Sequence, residues 1–116
     1  MVEPYVVTIP IKTVNPMNER AHWSKVYKRS KDEKRITLSL FRPPIELRSA
    51  KKFLVKIVRI GPRPIDKDGA IASTKYVQDT IAHVLGIDDG DDERVDWQYG
   101  REKGPYGVRI ELRVEQ

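Results

Sequence analysis

"KFLVKIVRIGPRPIDKDGAIASTKYVQDTIAHVLG" (Lys52–Gly86) decides how this chain folds. Its first nine residues, 52–60, are rich in β-branched and aromatic side chains and read as a strand. "GPRPIDKDG" follows, and its prolines and glycines make it a loop. Over residues 70–85, Ala70, Thr74, Val77, Ile81, Val84 and Leu85 keep the helical repeat, and Gly86 suits a C-terminal stop. Asp68 or Gly69 would cap that helix, both being good capping types.

Working outward, "YVVTIPI" (Tyr5–Ile11) reads as a first strand ending near Pro10, and "NPMNE" as a turn. Trp23, Val26 and Tyr27 sit at helical spacing, which predicts a helix over about residues 21–41; its end, "ITLSLF", alternates as a strand would. "RPPIEL" breaks it, because proline cannot continue a helix. Beyond Gly86, "RVDWQY" and "YGVRIELRVE" both alternate, which suggests an antiparallel pair joined through "GREKGPYG". The order β-α-β-α-β-β predicts a single α/β (α+β) domain with a four-stranded mixed sheet and two packed helices.

A length of 116 residues fits one domain, and 39% apolar with 34% charged residues describes a globular protein rather than a disordered tail. No apolar run approaches the roughly 20 residues that span a bilayer. "MVEPYVVTIPIK" lacks the positive region and cleavage site of a signal peptide. With no Cys there is no disulfide, thiolate metal site or Cys nucleophile. The expectation is a cytoplasmic protein without membrane contact. A net charge of +5 favours an anionic partner such as nucleic acid. In "RAHWSKVYKRSKDEKR" (Arg20–Arg35) seven basic residues face two acidic ones, with Trp23 and Tyr27 interleaved.

Against that background the carboxylates are segregated. Of 17 acidic residues, nine fall between Asp66 and Asp96, all but Asp79 in knots on either side of the second helix. A helix of about 16 residues spans roughly 24 Å, so the knots meet only if the acidic loop folds back or the third strand runs along the second. If they meet, three or four carboxylates converge, and a hard cation such as Mg²⁺ would stabilise them. Lys75, about two turns into the helix, could place a positive charge nearby.

Plainer readings compete. "DDGDDE" suits a solvated loop, Asp66 a turn, and Lys75 an exposed helix face. "DKDG" has its glycine at the fourth position, whereas a calcium EF-hand loop needs it at the sixth. His22 and His83 lack spaced partners for zinc, and neither a phosphate-binding glycine loop nor a G-x-S-x-G elbow is present.

Asp66-Lys67-Asp68, then Lys75 and Asp79, then "LGIDDGDD" resembles the RusA family of Holliday-junction resolvases, in the branch common in phages and prophages. That family's pattern is D-x-D-N, a helix carrying K-x-x-x-D, and a D-D pair before a strand. "VVTIPIKTVNPMNERAHW" is similar to the family's opening strand and basic loop, and "GPYGVRIELRV" to its closing strand. The likeness thus covers nearly the whole chain in order. It implies that Asp66, Asp68 and Asp89 are metal ligands and catalytic, with Lys75 as the catalytic lysine. Two departures stand: Gly69 replaces the usual asparagine, and "DDGDD" leaves Asp92 as an alternative third ligand.

The resemblance implies a Mg²⁺-dependent endonuclease that cuts branched DNA, a four-way junction, as a homodimer in a bacterial or phage-infected cell. Phosphate contacts would come from Lys12, Arg20, Lys25, Lys28, Arg29, Lys31, Lys34, Arg35, Arg59 and Arg63. The alternatives are a non-catalytic DNA-binding relative, and a small RNA- or protein-binding module with a solvated acidic loop.

Overall fold

The computed structural model describes residues 4–14 and 23–115. In chain order the elements are β1 (Tyr5–Ile9), α1 (Trp23–Leu40), α2 (Ile45–Arg48), β2 (Lys52–Gly61), α3 (Lys67–Ser73), α4 (Lys75–Leu85), β3 (Val95–Lys103) and β4 (Gly107–Glu115). The strands form one mixed sheet in the order β1-β4-β2-β3, and the α/β expectation holds. No helix among the described residues is long and apolar enough to cross a membrane.

One face of the sheet carries the core. Phe53, Val55 and Ile57 of β2 line up with Val114, Leu112 and Ile110 of β4, and Ile9 of β1 joins them through its pairing with Val108. Val77, Ile81 and Leu85 of α4 recur every four residues, as one stripe of a helix must, and close over this face with Phe41. Fully burying each such side chain stabilises the fold by about 1.5–3 kcal/mol.

The expected hairpin between the last two strands is not formed. β3 pairs with β2 in parallel, β4 pairs with β2 and β1 antiparallel, and β2 lies between β3 and β4. The turn over residues 104–106 crosses the end of β2, where Gly104 N–H donates to the Gly61 carbonyl at 3.0 Å. The reason lies in β2 itself. Phe53, Val55, Ile57 and Val58 of β2 are all buried, so this strand needs cover along most of its length and takes an interior place. Alternation in β3 and β4 says which face each presents to the core but not which strand lies beside it.

The single helix expected over residues 70–85 is two helices. It begins three residues earlier, at Lys67, and breaks at Thr74, whose backbone sits at φ −103°, ψ 13°. The Thr74 hydroxyl donates to the carbonyls of Ala70 (3.1 Å) and Ile71 (3.2 Å), and the Ser73 hydroxyl to Ala70 (3.0 Å). Such back-bonding from consecutive hydroxyl residues competes with the helical ladder and bends it. The cap is also not where the sequence suggests. Asp66 caps α3 by accepting the Gly69 N–H at 2.7 Å, and Gly69 is a buried interior position. α4 ends as expected on Gly86, whose left-handed φ of 70° is what glycine tolerates best.

Candidate functional site

β1 and β2 run the same way, because both are antiparallel to β4, and β3 is parallel to β2. The carboxyl ends of three strands therefore meet at one end of the sheet. Loops 10–14 and 62–66 and the turn 104–106 all emerge there. In open α/β sheets this is where ligands bind. α1 starts at the same end, because its last turn lies at the other: the Leu40 carbonyl and Arg42 N–H both reach the hydroxyl of Tyr5, the first residue of β1.

The loop that delivers Asp66 is held from below by two arginines. Arg59 Nη1 donates to the Arg63 carbonyl at 2.9 Å, and Arg101 Nη1 donates to the Ile65 carbonyl at 3.0 Å. The Arg59 guanidinium lies so close over Gly61 that a Cβ there would sit 2.6 Å from it, so residue 61 must be glycine unless the arginine moves. Across the end of the sheet, the Thr13 hydroxyl bonds the Ser73 hydroxyl at 3.3 Å, tying loop 10–14 to the end of α3. Lys12 Nζ stands 5.0 Å from the centre of the Tyr106 ring.

Asp66 and Asp68 sit at the start of α3, both exposed. Their charges suit the positive N-terminal end of a helix dipole. Lys75 is exposed at the first position of α4, directly after the break, and not two turns into a continuous helix.

The acidic loop does fold back, but only part of the way. Asp89 carbonyl accepts Trp97 Nε1–H at 2.8 Å, which lays residue 89 against β3. Burial raises the Tyr99 hydroxyl above its ordinary value, and the Asp89 carboxylate adds to that rise. The same hydroxyl bonds Gln78 Oε1 at 2.6 Å, so β3 is fastened to α4 close to Asp89. Asp88 and Asp91 are turn residues, accepting the N–H of Gly90 (3.0 Å) and Glu93 (3.2 Å). Asp92 is exposed near the start of β3, where Phe53 N–H bonds the Arg94 carbonyl at 2.8 Å, at the opposite end of the sheet from Asp66. Among the described residues no three acidic or histidine side chains stand close enough to hold one metal ion, so Asp66, Asp68 and Asp89 do not form a three-carboxylate group here.

The basic residues divide. Lys12, Lys25, Lys28, Lys31, Lys34, Arg35 and Arg63 are exposed, whereas Arg20 lies outside the described residues. Arg35 lies 3.8 Å from Asp32, and Lys34 Nζ lies over the Tyr76 ring at 5.6 Å. Arg29 bonds the buried Glu33 at 3.3 Å, and Arg59 is only 8% exposed, so these two act within the fold. Sequence reasoning missed Arg101 and Lys103, which join Arg59 and Arg63 around a cleft of about 590 Å³ beside loop 62–66. Their stretch, "GREKGPYG", reads as a turn by composition, although Tyr99, Arg101 and Lys103 continue the period-two alternation that puts them on one face.

No protein-family model matches this chain, and no curated protein matches it.

Proposed function

We propose that the protein is a Mg²⁺-dependent endonuclease of branched DNA that resolves four-way junctions as a homodimer. The observation that carries this reading is the setting of Asp66 and Asp68. Two exposed carboxylates sit where the carboxyl ends of three strands meet, in an otherwise cationic surface formed by Lys12, Arg63, Arg101, Lys103 and the lysine-rich start of α1. Carboxylates suit a cation and the surrounding bases suit phosphate, which are the two requirements of metal-assisted phosphodiester hydrolysis.

The donor chemistry fits Mg²⁺, which takes one or two carboxylates and completes its shell with water and phosphate oxygens. Asp66 commits Oδ1 to the Gly69 N–H, and Asp68 makes no hydrogen bond among the described residues, so both retain oxygens for a metal. When bound, such an ion supplies Lewis-acid polarisation and a lowered pKa for water. The protein's own contribution is positional. The arginine-held loop fixes Asp66, Lys75 would balance charge on the phosphate, and Asp89, with Asp92 as its alternate, would add negative potential from the acidic loop. Lysines of α1 would hold backbone phosphates without reading sequence. Two copies related by a two-fold axis would match the two equivalent strands that a junction presents.

Incubation with a synthetic four-way junction in Mg²⁺ and in EDTA tests the reading. Paired symmetric cuts in Mg²⁺ alone support it. Tight junction binding without cleavage would make the protein a DNA-binding relative, and no binding at all would leave the basic surface to some other anion.

A further inference from the structure

The cleft beside loop 62–66 has a lining that two metal-binding carboxylates do not explain. Four cations border it: Arg59, Arg63, Arg101 and Lys103. Glu102 also borders it, but that carboxylate is committed to Arg109, which holds it below the usual carboxylate range. Positive charges gathered round one cavity repel each other, and an anion in the cavity turns that repulsion into attraction. The guanidinium groups have donors to spare. Each offers five N–H bonds, and the loop carbonyls take one from Arg59 and one from Arg101. Arg59 Nε is buried with no partner among the described residues, an exception to the rule that buried donors are bonded.

The cleft is larger than a phosphate needs. Its volume of about 590 Å³ falls in the range of sites for whole small molecules, about 300–1,000 Å³. Pro64 and Ile65 give it an apolar wall as well as a charged one. An apolar wall beside convergent cations suits a ligand with a flat ring at one end and a phosphate at the other.

We propose that this cleft binds one nucleotide unit of the nucleic-acid chain, with its phosphate on Arg63, Arg101 and Lys103 and its base against Pro64 and Ile65. The inference rests on the nucleic-acid reading above but not on metal binding or cleavage. It gives the protein a hold on a nucleotide displaced from stacking, next to the loop that carries Asp66. A displaced base is easily supplied by a branch point and poorly supplied by intact duplex.

The test is titration of the full chain, in EDTA, with deoxyadenosine monophosphate, followed by calorimetry or NMR shifts. Saturable binding is expected. Deoxyadenosine, lacking phosphate, and deoxyribose 5-phosphate, lacking the base, should each bind at least about tenfold more weakly, or about 1.4 kcal/mol. Arg63→Gln and Lys103→Gln, both at exposed positions, should each weaken the monophosphate severalfold. Absence of saturable binding overturns the proposal, as does a monophosphate affinity that neither substitution alters. Equal binding of deoxyribose 5-phosphate also overturns it, because the cleft is then an anion site with no use for a base. Because no Mg²⁺ is present, failure of the nuclease reading would show separately, as junctions left uncut.

Discussion

Arg59 and Arg101 are register partners on the parallel strands β2 and β3, and each gives one guanidinium N–H to a carbonyl of the loop that ends in Asp66. The distances are 2.9 and 3.0 Å. Side chains at matched register on neighbouring strands project to the same face, so one pairing supplies both supports. The loop is thereby braced at residues 63 and 65, just ahead of the carboxylates.

Arg101→Ala removes one of those supports. The Ile65 carbonyl loses its donor, at a cost of about 1 kcal/mol, because one intramolecular hydrogen bond is worth about that much. Under the nuclease reading, cleavage should fall more steeply than stability does, since Asp66 is displaced. Parallel measurement of unfolding midpoint and junction cleavage checks it; equal wild-type rates would mean that the loop needs only Arg59.

Under the nuclease reading Asp66 has two roles that substitution can separate. Asp66→Ala loses the cap on α3 and should destabilise the protein by about 1 kcal/mol. Asp66→Asn keeps a side-chain oxygen for the Gly69 N–H and should preserve stability while abolishing Mg²⁺-dependent cleavage. An active Asp66→Asn protein would remove this residue from the metal site. The same comparison between Asp89→Asn and Asp92→Asn decides which contributes.

The fold-back of the acidic loop has a titration signature. Tyr99 holds its proton above the ordinary value of 10.0, first through burial and then through the Asp89 charge. Asp89→Asn should therefore lower the Tyr99 value but leave it raised, read as the ultraviolet tyrosinate signal absent from Tyr99→Phe. The sign for stability follows from the raised value: the folded state binds this proton more tightly than the unfolded chain. Its contribution is whole below pH 10.0 and is lost as pH rises through the folded value. An unchanged Tyr99 titration in Asp89→Asn would mean that residue 89 does not lie against β3 in solution.

Under the same reading the lysines of α1 should carry nonspecific affinity. Arg29 is unsuitable for the test, because its loss would strip the ion pair from the buried Glu33. Lys28→Ala with Lys31→Ala should weaken all DNA shapes alike and reduce the slope of log K against log salt by about 0.9 for each duplex phosphate no longer neutralised. An unaltered slope would show that the DNA lies elsewhere.

The fold class was legible because α4 and β4 carry a clean periodicity and β2 is dense in β-branched residues, and both are local properties. Three features were not legible, for physical reasons. Strand neighbours depend on which strand is buried along most of its length, and that is known only once β2 is seen to be interior. The break at Thr74 comes from hydroxyls competing for the Ala70 carbonyl, which apolar spacing does not register. The cap fell on Asp66 rather than Asp68 because the helix starts before its apolar stripe does. At the site, the residue types were readable, but the support from Arg101 was not, since it comes from a strand more than thirty residues away.

The pairing of β1 with β4 also constrains how the chain can acquire its structure as it leaves the ribosome. β1 comes first of the four strands, yet its partner among the described residues is β4, the strand farthest from it along the chain, with Tyr5 opposite Leu112. Until β4 emerges, β2 likewise lacks the neighbour on one side. The sheet therefore cannot close progressively behind the growing chain, and its apolar face waits in the open until β4 has been made. Chains truncated before Gly107 should be digested rapidly by protease, and protection should arrive in a single step once β4 is included.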